Sequence, residues 1–193
     1  NEDGFLPFVH QMSQIAGVTS ITIASEYLSK SRNGKGVLFG GITGISPASV
    51  FILGSETAAE YATRAALGLG AEVKIFDTSV SKLRAFERKF NQKIFTSLYY
   101  PRILEKAVSS ADVIVGAQPF NSVPSYKMPL DLIRKMKEGS IIIDLNASQG
   151  GCFETTHCTT MSQPTYVENG IIHHCVPNIS SRVSRTTTIA LSN

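Results

Sequence analysis

A chain of 193 residues with ordinary apolar content and a formal charge of +3 suits one globular domain that buries about 70% of its unfolded surface. The charge is too small for a nucleic-acid partner, and the basic residues from Lys82 to Lys93 are spread around a helix rather than gathered on one face. No apolar run reaches bilayer length, no secretory leader is visible, and three cysteines without scaffold spacing point to free thiols in a reducing, cytoplasmic compartment.

The chain starts at Asn1, without methionine, in an acidic and flexible-looking stretch. It stops at Ala190-Leu191-Ser192-Asn193, inside a helix-like pattern. Residues 1–193 are therefore expected to be a single domain excised from a longer two-domain protein. The apolar spacing over residues 10–30 predicts a helix, which Gly17 and the β-branched run Val18-Thr19-Ser20-Ile21-Thr22-Ile23 oppose. Residues 33–47 read as a glycine-rich connector.

A strand and helix alternation follows. Strands are predicted over residues 49–53, 72–76, 93–97, 112–116, 140–145 and 170–176. Helices are predicted over 57–69, 79–90, 101–109 and 131–137, with Gly70 closing the first, Ser79 capping the second and Pro101 opening the third. Phe51-Ile52-Leu53, Val113-Ile114-Val115 and Ile141-Ile142-Ile143 are unbroken apolar runs, as expected for strands covered on both faces. This alternation implies an α/β fold: a Rossmann-type, doubly wound, mostly parallel sheet with helices on both faces.

The first strand runs into Gly54-Ser55-Glu56-Thr57-Ala58-Ala59, and the second ends at Asp77. In a dinucleotide-binding G-x-G-x-x-G unit, the first glycine makes the turn, the second admits the pyrophosphate and the third lets the helix approach the strand. The helix N-terminus faces the phosphates. Only Gly54 survives here, since Glu56 and Ala59 stand at the other two positions. A carboxylate about 4 Å from a phosphate costs about 4 kcal/mol at an effective dielectric near 20, and less if it swings into water. Asp77 lies where an acid takes the ribose hydroxyls, or else it is a solvated loop acid.

Further segments carry a resemblance. Met12-Ser13-Gln14-Ile15-Ala16-Gly17, the run from Gly36 to Ile45, Gln149-Gly150-Gly151-Cys152-Phe153-Glu154-Thr155-Thr156 and Cys175-Val176-Pro177-Asn178 resemble the alanine dehydrogenase family in order and spacing. The NAD-binding subunit of proton-translocating transhydrogenase is similar in architecture. The resemblance covers nearly the whole chain and corresponds to the family's NAD-binding domain. It implies NAD as cofactor, interconversion of L-alanine with pyruvate and ammonia by the parent protein, a homo-oligomer, and a small-molecule substrate held through the other domain. The isolated domain is then expected to be inactive. By the same resemblance Ser13, Gly54, Asp77, Lys82 and Val176 serve the cofactor, and Asn178 faces the active site. Ser55, Gly116, Ala117 and Leu145, at strand ends, are expected beside them.

The family's catalytic aspartate before Gln-Gly-Gly is replaced by Ser148. A serine does not titrate near neutral pH and cannot do a carboxylate's acid–base work. Three readings stay open: a working NAD(H)-binding domain, a dehydrogenase for another amino acid, or a non-catalytic domain in which the Glu56 carboxylate itself occupies the helix N–H groups. Asp144 and Asn146 either line the site or organise its loop. Gln118-Pro119-Phe120 reads as turn and packing. Cys152 reads as a small buried hydrophobe rather than a nucleophile, and the Cys and His residues from Cys152 to Cys175 lack zinc-site spacing, so no metal is expected.

Overall fold

The computed structural model describes residues 7–120 and 122–192. The acidic N-terminal stretch and Asn193 lie outside them. Helix α1 (Pro7–Tyr27) leads through a 3-10 turn (Lys30–Arg32) and the glycine-rich connector to β1 (Ser49–Leu53). There follow α2 (Thr57–Gly68), β2 (Glu72–Phe76), α3 (Val80–Glu87), β3 (Phe95–Ser97), α4 (Pro101–Ser110) and β4 (Val113–Gly116). The last third holds α5 (Leu130–Ile133), β5 (Ile141–Asp144), β6 (Thr165–Glu168), β7 (Ile171–His174) and α6 (Ser184–Ser192).

The strands form one sheet in the order β3-β2-β1-β4-β5-β7-β6. Every neighbouring pair is parallel except β6 with β7. Alternation along β1 shows why two helical layers are needed. Val50 and Ile52 pack with Ile21, Leu28 and Ala59 on one face, while Phe51 and Leu53 pack with Leu104, Val108 and Phe153 on the other. All five residues of β1 are buried, and after Ser49 the strand is unbroken apolar, Val50 to Leu53. The Rossmann-type doubly wound expectation holds.

Helix α1 is continuous through Gly17 and the β-branched run. Ile21, Ile23 and Ala24 in its C-terminal third, with Leu28 just past it, are at most 1% exposed, and this burial outweighs a weak helix propensity. Gly17 is there for closeness: a Cβ on it would stand 2.3 Å from the Ala58 carbonyl oxygen of α2. Gly70 takes φ +84° just past α2, and the Ser79 hydroxyl accepts from the Lys82 N–H at the start of α3. Both follow the predicted caps.

Two expectations need correction. The helix predicted over 131–137 amounts to one turn, α5. Beyond it Lys135 and Met136 bond back three residues, to Leu132 and Ile133, and Gly139 turns the chain at φ +73°. The second concerns β6, which lies in what had no assigned element. Its partner β7 follows a two-residue turn, Asn169 at φ 52° and Gly170 at φ 76°. Two left-handed residues in a row are the type I′ hairpin that Asn-Gly favours.

Candidate functional site

The β1–α2 turn sits at the middle of the sheet. Gly54 has φ +108°. Its N–H donates to the Phe76 carbonyl at 2.7 Å, and the Ala117 N–H donates to the Leu53 carbonyl at 2.8 Å. A Cβ on Gly54 would lie 2.3 Å from the Ala117 carbonyl oxygen. Glycine is thus required where the turn abuts the end of β4. Gly116 is closed from the other side, since a Cβ there would meet the Cys152 Cβ at 2.8 Å. Gly54, Gly116 and Ala117 are framework beneath the site.

Asp77 is 6% exposed, which corrects the reading of it as a solvated loop acid. One of its oxygens accepts from the Ser55 hydroxyl at 2.7 Å, the other from the Ser79 N–H at 3.0 Å. Ser55 and Asp77 thus meet across the ends of β1 and β2. Glu56 precedes α2 in extended backbone and makes no side-chain bond to the helix N–H groups. This corrects the idea that its carboxylate fills the place of a phosphate there. The carboxylate instead accepts from the Lys82 ammonium at 2.6 Å, with the two side chains 44% and 47% exposed. That hydrogen bond holds the Lys82 pKa above its ordinary value, and the charge of Asp77 adds to it.

Beside the turn lies a cleft of about 330 Å³. Helix α1 gives one wall through His10, Ser13 and Ala16; Glu56 and Thr57 come from the β1–α2 turn. The floor and far wall come from segments after β4, β5 and β7: Gln118 to Phe120, Leu145 with Asn146, and Pro177 to Ser180. The cleft therefore opens at the carboxyl ends of the central strands, where the chain leaves β1 to one side and β4 to the other. That is the position of ligand sites in open α/β sheets. Of the expected site residues, Ser13, Leu145 and Asn178 line it. Val176 is buried beneath the last segment. Ser55, Asp77 and Lys82 lie off the cleft, past Glu56. Ser148 is on the exposed side of a 3-10 turn (Ala147–Gln149) and is not in the lining.

His10 was not singled out from sequence. It lines the cleft, and its Nδ1 lies 3.1 Å from the Thr57 hydroxyl. Gln118 to Phe120 also line it, beyond the packing role expected of them. Asn146 does both things that the sequence left open. Its Nδ2 donates to the carbonyls of Gln118 and Pro119, and its Oδ1 accepts from the Gln118 N–H at 3.0 Å, so one side chain ties the loops after β4 and β5. Asp144 is the loop organiser. It accepts from the N–H groups of Asn146 and Cys152 and from the Thr156 hydroxyl. Burial pushes its carboxyl pKa up, and these donors oppose the shift.

Burial also pushes the Cys152 thiol well up. That thiol donates to the Asn146 Oδ1 at 3.3 Å, so it packs the loop as a neutral group and is unsuited to nucleophilic attack. Among the described residues no group of His, Cys, Asp and Glu could hold a metal ion, and no helix is long and apolar enough to cross a membrane.

Comparison with known proteins agrees with this fold. The family model described as "Alanine dehydrogenase/PNT, C-terminal domain" matches residues 20–193. The chain is 38% identical over 192 residues to an alanine dehydrogenase of Halomonas elongata, covering 99% of this chain and 52% of that protein. A solved L-alanine dehydrogenase superposes with a TM-score of 0.90 at 38% identity, over 98% of this chain and 53% of its own. A transhydrogenase from Sinorhizobium meliloti gives 0.72 at 15% identity, over 95% and 53%, a likeness of fold alone. The chain thus spans about half the length of the relatives it matches. It belongs to the alanine dehydrogenase/PNT C-terminal domain family.

Proposed function

We propose that this chain is the NAD(H)-binding half of an alanine dehydrogenase-type oxidoreductase that acts in the cytoplasm as a homo-oligomer. The observation that carries the reading is the joining of Ser55 to Asp77 across the ends of β1 and β2, directly beside a cleft at the sheet's switch point. The residues present fit such a cofactor. No side chain caps α2, which leaves its first turn to a phosphate. A buried carboxylate already bonded to a hydroxyl is suited to accept from a ribose.

When bound, NAD supplies a hydride acceptor. The chain's own groups position it. Asp77 would exchange the Ser55 hydroxyl for a ribose hydroxyl. Ser13 and Asn178 give the cleft polar groups for an amide-bearing ring, with Asn178 steadied by the Ser180 hydroxyl at 2.9 Å. Ser148, outside the lining, supplies no acid or base. Proton handling and recognition of the amino or keto acid then fall to the remainder of the protein.

The experiment is calorimetric titration of the chain with NADH. Asp77→Ala is expected to weaken NADH at least tenfold, because a charge-assisted hydrogen bond of about 1.5–3 kcal/mol is lost. Equal affinity for the two would overturn the assignment. Ser148 favours a second reading, a domain that binds the nucleotide in a protein without dehydrogenase activity. NADH binding with no turnover of L-alanine by the full-length protein would select it.

A further inference from the structure

We propose that Glu56 and Lys82 together set how strongly this chain holds a dinucleotide, Glu56 as the specificity-determining charge and Lys82 as its neutralising partner. The proposal rests on the reading of the cleft as a dinucleotide site. Glu56 lines the cleft and immediately precedes α2. A diphosphate using that helix's N–H groups shares the entrance of α2 with the Glu56 side chain. The extended backbone at Glu56 (φ −86°, ψ −169°) directs the side chain away from the helix and onto Lys82 of α3. Lys82 also feels Asp77. One ammonium therefore serves two carboxylates, and this corner of the site carries a formal charge of −1: two acids against one base.

Three consequences follow from that charge. An anionic diphosphate is disfavoured relative to an uncharged nucleoside, since like charges repel through a partly solvated site. Removing the Glu56 charge relieves the repulsion without touching Asp77 or the turn at Gly54. Lys82 matters chiefly while Glu56 is ionised, because its ammonium is committed to that carboxylate. The last point separates this pair from a lysine that simply holds the nucleotide. Such a lysine would act alike with and without Glu56.

The test is a double-mutant cycle read by calorimetry at low ionic strength, with NADH and adenosine as ligands. Glu56→Gln should tighten NADH about tenfold, equivalent to about 1.4 kcal/mol, and leave adenosine unchanged within about twofold. Lys82→Met should weaken NADH about tenfold in the unmodified chain and less than about threefold in the Glu56→Gln background. Unchanged NADH affinity in Glu56→Gln would overturn the proposal. So would an equal effect of Lys82→Met in both backgrounds. If neither ligand binds any of the four proteins, the dinucleotide reading fails and takes this proposal with it. If NADH binds all four alike, that reading stands and only the role of the pair is lost.

Discussion

Replacing Gly54 by alanine should damage the fold well before it affects chemistry. At φ +108° an L-residue is strained, by about 1–3 kcal/mol. The added Cβ would also sit 2.3 Å from the carbonyl oxygen of Ala117 and 2.8 Å from its carbon. Ordinary contact begins near 3.4 Å, so the turn must retreat by about 1 Å. Retreat is resisted by two buried bonds, Gly54 to Phe76 and Ala117 to Leu53. Losing one costs about 1–3 kcal/mol. The sum is about 2–6 kcal/mol, a large share of the 5–15 kcal/mol typical of a domain. With a urea m-value of about 2–3 kcal/mol/M, the midpoint should fall by about 1.5 M. The assay is urea unfolding followed by circular dichroism. Gly68→Ala serves as control, because nothing lies within 4 Å of its would-be Cβ. A Gly54→Ala midpoint within about 0.3 M of the parent, equivalent to under 1 kcal/mol, would refute the reasoning.

Gly17→Ala sets propensity against packing. Alanine should favour an isolated α1 by about 1 kcal/mol, yet its Cβ would strike backbone of α2 at Ala58. A net loss of about 1–3 kcal/mol is expected, visible as a lower melting temperature, and a gain would show that the helices separate freely. The pH dependence of stability should carry the mark of His174. Its ring is 2% exposed, against the edge of Tyr27, and its Nδ1 has no partner among the described residues. Burial, aided by the charge of Arg182, lowers its pKa to about 4. The unfolded chain takes up a proton near pH 6.5 that the folded chain refuses until about pH 4, so stability falls as the pH drops through that interval, by up to about 3 kcal/mol. His173, lowered in the same direction by burial, adds to the slope. His174→Phe should flatten the loss between pH 7 and pH 4.5 in urea titrations, and a wild-type-minus-variant difference equal at the two pH values would count against this account.

The parallel core was legible because parallel strands covered on both faces must be apolar. Val113-Ile114-Val115 and Ile141-Ile142-Ile143 could be little else. The caps at Ser79 and Gly70 and the opening of α4 at Pro101 were equally readable, each being a local matter of one or two residues. The β6–β7 hairpin carried a local signal too, Asn169-Gly170, but Thr165-Tyr166-Val167-Glu168 is too short to display a period beside it. The candidate site was legible only in part. Ser13 and Asn178, which the family resemblance implied, and Leu145, expected from its place at a strand end, line the cleft. The partner of Glu56 could not be read, because Lys82 comes to it from another helix, 26 residues on. Nor could the reach of Asn146 back to Gln118, 28 residues away. Such contacts depend on how strand ends are staggered, which a single sequence does not display. Gly17 misled for a related reason. Its cost to α1 is local, and its benefit lies on α2.

The order of strands has a further consequence for the life of the molecule. β1 and β4 are neighbours, but the strands β1 to β3 lie on one side of the line between them and the strands β4 to β7 on the other. The cleft straddles the line, taking Ser13 and Thr57 from one half and Gln118, Leu145 and Asn178 from the other. Neither half alone contains the whole of it. A guest in the cleft would therefore act as a rivet across the seam. Its binding energy would be felt as resistance to separation of the halves, the event on which global unfolding depends, so hydrogen exchange in the centre of β1 and β4 should slow in step with occupancy.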